Sequence, residues 1–218
     1  MSETPPPELP AEPDLVAGLF GDALPAVRRY VELLGGDGVV RGLIGPREVP
    51  RLWERHVLNS AAVAEAVPQG ARVVDIGSGA GLPGIPLALA RPDLTLTLVE
   101  PMARRVEFLE DVVAALGAPW TVVRGRAEEK SVVRTVGPVD VVTARAVAPL
   151  PRLVGWARGL LRPGAQLVAL VGAKAAAEVP ELIPQFTAAG MADVEVRAVG
   201  ASLGAAATTV VVMTRTGR

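Results

Sequence analysis

Arg72-Val-Val-Asp-Ile-Gly-Ser-Gly-Ala-Gly-Leu-Pro-Gly-Ile-Pro86 decides how the rest of the chain is read. An apolar strand runs into Asp75, and Gly77, Gly79 and Gly81 follow at alternate positions before a helix begins. Glycines in such a turn let backbone N–H groups and a helix N-terminus lie close against a ligand, because no Cβ stands in the way. The turn needs a sheet to support it. Short β-branched runs at 72–76, 94–100, 121–124, 139–143, 166–171, 192–198 and 208–214 are candidate strands. Helical stretches at 82–90, 103–116, 128–136, 149–161 and 175–189 fit between them. Such alternation predicts an α/β fold, a parallel doubly wound sheet with helices on both faces. Only residues 200–207 separate the last two strands. That is short for a helical crossover, so the pair is expected to close the sheet as an antiparallel hairpin.

On the N-terminal side, residues 1–12 are proline-rich and acidic and read as a disordered arm. Residues 13–68 read as a helical cap, too short for a domain of its own, packed on a domain spanning 69–218. Leu15, Leu19, Ala23 and Val27 share one helical face, which Tyr30, Val31 and Leu34 continue. Gly35-Gly36-Asp37-Gly38 marks a turn. Gly45-Pro46-Arg47-Glu48 opens a new helix with Pro50 in its first turn, where proline is tolerated.

Half of the 218 residues are apolar and 21% are charged, as in ordinary soluble globular proteins. The absence of cysteine excludes disulfides, cysteine-ligated zinc and a cysteine nucleophile, and fits a reducing cytoplasm. No metal ligand set is indicated. No apolar run reaches the roughly 18 residues of a membrane span, and no signal peptide is indicated. A cytoplasmic protein without a membrane partner is therefore expected. The net charge of −1 argues against a purely electrostatic nucleic-acid binder. It leaves room for an RNA enzyme with its basic residues on one face.

The spacing after the first strand is D-x-G-x-G-x-G, whereas dinucleotide loops carry G-x-G-x-x-G after an apolar strand. A carboxylate at Asp75 can accept from loop amides or a ligand amine, and it opposes a pyrophosphate by like charge. Glu100 ends the next strand, 23 residues beyond Gly77, where a carboxylate can accept from both ribose hydroxyls of an adenosine. Together these favour a zwitterionic nucleoside, S-adenosylmethionine, over NAD. A sheet closed by a hairpin is typical of methyltransferases that use it. No Gly-Lys-Ser/Thr follows, which excludes a Walker loop. The plainer alternative is a tight strand–helix connection with no ligand.

Ligands of open α/β sheets lie at the carboxyl ends of the strands. After the third strand, Glu128 can accept from an adenine amine while the Ala127 amide donates to a ring nitrogen; Glu128 reads equally as a capping acid. Arg145 leaves the fourth strand where a methyl acceptor would sit, and it can hold a guanine edge or a phosphate. The Asn/Asp-Pro-Pro-Tyr signature of exocyclic-amine methylation is missing there. An acceptor with no proton to lose fits, and guanine N7 is one, since its lone pair can attack the sulfonium methyl directly. Catalysis is then mainly alignment and proximity. His56 is the only histidine, and a lone helical histidine usually serves structure. Arg47, Arg51 and Arg55 recur every four residues, as a phosphate-facing edge or a solvated face.

Several motifs occur in order: Arg55-His56-x-x-x-Ser60, Asp75-Ile-Gly-Ser-Gly-Ala-Gly-Leu-Pro-Gly-Ile-Pro-Leu87, Arg105-Val-x-Phe-Leu109, Arg126-Ala-Glu-Glu129 and Ala144-Arg-Ala146. In these the chain resembles the bacterial small-subunit ribosomal RNA guanine-N7 methyltransferases, the RsmG or GidB family, over about residues 20–175. The resemblance implies a Rossmann-like class I methyltransferase sheet of seven strands with an N-terminal helical extension. It implies N7 methylation of one guanine in the 530-loop of 16S rRNA, with S-adenosylmethionine as donor. The family's cofactor contacts correspond to Gly77, Leu82, Ala127, Glu128 and Arg145, its acidic ribose position to Glu100, and its Arg-His pair to Arg55 and His56. Arg145 and His56 are thus the catalytic candidates. Asn59 stands where many relatives have an acid before the serine, and Ala169-Leu-Val-Gly172 replaces Ala-Leu-Lys-Gly. Lys174 is expected to supply the missing cation near RNA phosphate, alongside Arg51 and Arg55. The expected partner is 16S rRNA or the 30S subunit, and the expected state a monomer without an obligate protein partner. The rivals are a small-molecule methyltransferase and a non-catalytic ribosome-assembly module.

Overall fold

A computed structural model describes residues 9–217. Its centre is one seven-stranded sheet: β1 (Arg72–Ile76), β2 (Thr95–Glu100), β3 (Thr121–Arg124), β4 (Val139–Arg145), β5 (Leu161–Val171), β6 (Met191–Val199) and β7 (Thr208–Arg215). The spatial order is β3-β2-β1-β4-β5-β7-β6. The pairs β1–β2, β2–β3, β1–β4 and β4–β5 are parallel. Strand β7 inserts between β5 and β6, antiparallel to both, which is the closing hairpin read from the short 200–207 gap. The winding reverses between β1 and β4, so a crevice opens at their carboxyl ends.

The strands bury alternate side chains on two faces, as a sheet covered on both sides must. Val73, Leu96, Leu98, Val141, Val168 and Val210 join one core, and Val74, Val99, Val142, Leu167, Val211 and Met213 the other. The second face is covered by α7 (Lys130–Val136), α8 (Leu150–Ala157) and α9 (Ala173–Ala188), through Val132, Val154 and Phe186. The first face is covered by α5 (Gly84–Ala90) and α6 (Ala103–Leu116), and by the N-terminal helices: α1 (Leu15–Phe20), α2 (Leu24–Gly35), α3 (Asp37–Val40) and a composite helix containing α4 (Asn59–Ala61). Tyr30, Leu34, Leu52 and Leu58 share that core with Leu87, Leu96 and Val141. Of the arm read over 1–12, residues 1–8 lie outside the described residues; Glu12 accepts two hydrogen bonds from Arg28 of α2, at 2.6 and 2.9 Å.

Some boundaries differ from the sequence reading for local reasons. Gly21 ends α1 in a 3₁₀ turn and shifts the helical phase, so Val16 and Phe20 are buried while Leu15 is 37% exposed. Strand β5 begins at Leu161 instead of 166, because Arg162-Pro163-Gly164-Ala165 bulge between two stretches paired with β4. Helix α5 starts at Gly84, two residues late, after the turn closed by Gly81 and Leu82 N–H groups on the Ser78 carbonyl. The segment after Gly45 is not one regular α-helix. A 3₁₀ turn (Pro46–Arg51) containing Pro50 passes into a π-helical stretch (Leu52–Leu58), then α4 and another 3₁₀ turn (Ala62–Ala66). Arg47, Arg51 and Arg55 are all exposed, but they do not lie on one α-helical stripe. π-Helical turns concentrate at functional sites, and this one carries His56. No helix among the described residues is long and apolar enough to cross a membrane.

Candidate active site

The glycine loop is built from the residue upward. Gly77, Gly79 and Gly81 all have positive φ, of 66°, 59° and 94°. At Gly77 a Cβ would lie 2.5 Å from Val147 Cγ1, so this glycine is required by the loop after β4. At Gly79 the only atom near the Cβ position is the Gly77 carbonyl oxygen, 3.8 Å away, and the backbone stays open to the cleft. From beneath, the wholly buried Tyr30 of α2 donates its hydroxyl to the Ala80 carbonyl at 2.8 Å.

Glu100, 1% exposed, fixes the loop from the side. One carboxylate oxygen accepts from the Gly79 N–H at 2.9 Å and the other from the Met102 N–H at 3.0 Å. Arg105 stands 3.7 Å away. Each oxygen retains a second lone pair for a ligand hydroxyl.

Asp75 is placed differently from the expectation of a ligand contact. It is fully buried behind the loop, outside the lining of the cleft, and its Oδ2 accepts from the Gly84 N–H at 3.2 Å. Oδ1 has no hydrogen-bond partner among the described residues. Burial pushes the Asp75 pKa up to about 7, aided by Glu100 and opposed by the Gly84 bond.

The cleft above the loop has a volume of about 420 Å³. It gathers Gly77, Gly79, Leu82, Glu100, Ala127 and Glu128, with Arg145 and His56 at one side. Gly81 does not line it; a Cβ there would strike Ile85 and approach the Tyr30 hydroxyl. Glu128 precedes α7, whose N-cap position is Glu129 with no side-chain cap bond. Glu128 makes no side-chain hydrogen bond among the described residues, and it lines the cleft.

Arg145 is the last residue of β4 and is held from the composite helix. Its Nη1 donates to Ser60 Oγ at 3.3 Å, and its Nη2 lies 3.4 Å from His56 Nδ1. His56 Nε2 lies 3.1 Å from Glu48. A carboxylate only accepts, so Nε2 carries the hydrogen and Nδ1 offers its lone pair to Arg145. Both imidazole nitrogens are then engaged in the neutral form. Burial, and then the Arg145 cation, push the His56 pKa below its ordinary 6.5 against the pull of Glu48. Burial also draws the Arg145 pKa below the ordinary arginine value.

Past Arg145 the chain takes a left-handed turn at Ala146, φ 53°, a strained conformation for a residue with a Cβ. Arg145, Ala146 and Val147 form a wall common to the cleft and to a second pocket of about 640 Å³ at the carboxyl ends of β4 and β5. Arg55 lines the second pocket; Arg51 and Lys174 line neither, although both are exposed. In the sequence Tyr30 reads only as a core position, Glu48 as part of a helix start and Ser60 as the end of the Arg-His motif, and none of the three is given a role at the site. They lie 115, 97 and 85 positions before Arg145, and only a turn signal at Gly45–Pro46 hinted at Glu48.

A family model described as GidB, rRNA small subunit methyltransferase G, matches residues 23–205. The chain belongs to this family. The match runs through the N-terminal helices as well as the sheet, so the Glu48–His56–Arg145 chain lies within GidB-family sequence. The ribosomal RNA small subunit methyltransferase G of Mycolicibacterium gilvum (strain PYR-GCK) is 52% identical over 205 residues, covering 94% of this chain and 90% of that relative. Its counterpart in Mycobacterium sp. (strain KMS) is 56% identical over 191 residues, covering 88% and 85%. Among solved structures, a methyltransferase from Pyrococcus furiosus is similar at TM-score 0.57 with 15% identity, covering 71% of this chain and 80% of that one. The precorrin-6y C5,15-methyltransferase of Geobacter metallireducens GS-15 has TM-score 0.53 and 14% identity, covering 80% and 91%. At such low identity these two share the fold, a Rossmann-like methyltransferase sheet.

Proposed function

We propose that the chain transfers a methyl group from S-adenosylmethionine to N7 of a guanine in the 530-loop of 16S rRNA. The observation that carries this reading is the Arg145-Ala146-Val147 wall between two adjoining clefts. A donor on one side and an acceptor on the other would meet at that wall. The relatives' names favour ribosomal RNA as substrate, and the motif resemblance favours guanine N7 and the 530-loop.

The residues fit the proposed cofactor. Gly79 leaves backbone open to the cleft, and Glu100 has acceptor capacity for ribose hydroxyls. Glu128 and the Ala127 amide stand where an adenine edge would be read, with Leu82 as an apolar contact. Asp75 acts indirectly, by holding Gly84 and with it the start of α5. When bound, S-adenosylmethionine supplies an electrophilic methyl group.

The chain's own work is then positioning. Arg145 orients the acceptor base, and Ser60 and the Glu48-supported His56 orient Arg145. Neutral His56 has no free nitrogen to act as a base, which suits an acceptor with no proton to surrender. Arg51, Arg55 and Lys174 serve RNA phosphates. A cytoplasmic monomer, with residues 13–68 capping the methyltransferase domain 69–218, completes the proposal.

Mass mapping of 16S rRNA nucleosides from cells with and without this protein tests the reading. One N7-methylguanosine in the 530-loop should vanish in its absence. An unchanged map, or loss of a methyl group elsewhere, refutes it.

A further inference from the structure

The second pocket has a feature that positioning of an acceptor by Arg145 leaves unused. Its walls are apolar at Leu150, Leu153 and Leu170, and cationic where Arg55 and Arg145 enter. Helix α9 also lines it. Ala175, Glu178 and Leu182, spaced three and four apart, turn one face of this helix to the pocket, while Val179 and Phe186 are buried in the core. Glu178 is the only acidic residue of the lining. It forms none of the ion pairs found among the described residues.

We infer that Glu178 determines base specificity by accepting hydrogen bonds from the N1–H and N2 amine of the target guanine. The inference rests on the guanine-N7 reading above. In guanine, N7 lies on the five-membered ring, and N1 and N2 lie on the far side of the six-membered ring. A base that turns N7 toward the wall shared with the donor cleft must turn its N1–N2 edge away from it. That edge carries donors only, and a carboxylate carries acceptors only. Adenine presents a lone pair at N1 and no amine at C2, so the same carboxylate repels it. The apolar lining residues are then available to the ring faces. Reading an extruded base by its Watson–Crick edge is a general solution when chemistry is done on a base.

The test uses the full-length protein as wild type, Glu178→Gln and Glu178→Ala. Each is titrated with GMP, IMP and AMP in the presence of S-adenosylhomocysteine, followed by ligand NMR. Each is also assayed for methyl transfer to 30S subunits that lack the modification. IMP keeps N7, O6 and N1–H but loses the N2 amine. Wild type should bind GMP about tenfold more tightly than IMP, since a hydrogen bond to a charged group is lost. The Glu178→Ala variant should bind both alike. Its kcat/KM on 30S subunits should fall about 10- to 100-fold, with Tm and S-adenosylhomocysteine affinity unchanged. Glu178→Gln, which keeps one acceptor, should lie between. A GMP-to-IMP ratio near one in wild type, or one unmoved in Glu178→Ala, overturns the inference while wild-type methylation at guanine N7 leaves the parent reading standing. Absence of N7 methylation by wild type overturns both.

Discussion

At the scale of single residues, Arg145 links the two halves of the proposed reaction. It ends β4, lines both pockets, and receives two side-chain partners from the composite helix. Arg145→Ala should abolish most methyl transfer, because nothing else on the shared wall carries a cation to orient the acceptor. The fold should stay intact, the stability lost being that of the hydrogen bonds to the buried Ser60 and His56; near-normal turnover in a purified assay would exclude this role. Glu100 has a different burden. Its two oxygens tie the glycine loop to the segment after β2 and still face the cleft. Glu100→Ala should weaken S-adenosylmethionine binding by about 1–3 kcal/mol, the range for a hydrogen bond to a charged group or a buried group left unpaired. Calorimetry showing unchanged affinity would refute it.

At the scale of elements, the N-terminal helices and the glycine loop are joined through one buried hydroxyl. Tyr30 projects from α2 to the Ala80 carbonyl, beside Gly81, where a Cβ would crowd the hydroxyl at 3.2 Å. Tyr30→Phe keeps the ring in the core and removes the donor. Stability should fall by about 1 kcal/mol, and the KM for S-adenosylmethionine should rise while kcat changes less; a KM equal to wild type would show that the loop holds itself. This coupling was not legible in the sequence, where Tyr30 is simply one apolar position of an amphipathic helix. The strands were legible because β-branched runs buried on both faces leave a local signature, and α6 spans the 103–116 expected between two of them. What failed locally had local causes. Gly21 breaks the helical phase expected to run on from Leu15, and a bulge at Pro163–Gly164 hides the first part of β5. The D-x-G-x-G-x-G pattern marked the cleft, but not that Asp75 would sit behind it, since spacing does not reveal which side of a turn a carboxylate takes. Glu48 and Glu178 meet Arg145 or its pocket only through the topology, so no spacing rule could have gathered them, and the Arg55-His56-x-x-x-Ser60 spacing did not tell that Ser60 holds Arg145.

At the scale of the whole molecule, the N-terminal helices and the sheet share one core across the first face, so they should unfold together. Two buried ionisable groups, Asp75 and His56, then tie global stability to pH in opposite directions. Asp75 keeps its proton in the native state up to about pH 7, whereas the unfolded chain releases it near 3.8. Between those values the native state binds more protons, so this group makes stability fall as pH rises. His56 is held neutral in the native state below its ordinary 6.5, where the unfolded chain takes up a proton. Below 6.5 the unfolded state therefore binds more protons, and this group makes stability fall as pH drops. Asp93 and Asp140, whose pKa values are lowered by arginine and backbone partners, act chiefly near and below 3.8 and leave the window from pH 5 to 6.5 to the other two. In that window the slopes oppose each other, each at most about 1.4 kcal/mol per pH unit for one proton. Wild type should thus show a shallow dependence. Asp75→Asn should become less stable toward pH 5, and His56→Asn should become more stable toward pH 5. Denaturant unfolding of the three proteins at half-unit steps reads the slopes directly, and slopes of the same sign in the two variants would contradict the assignment.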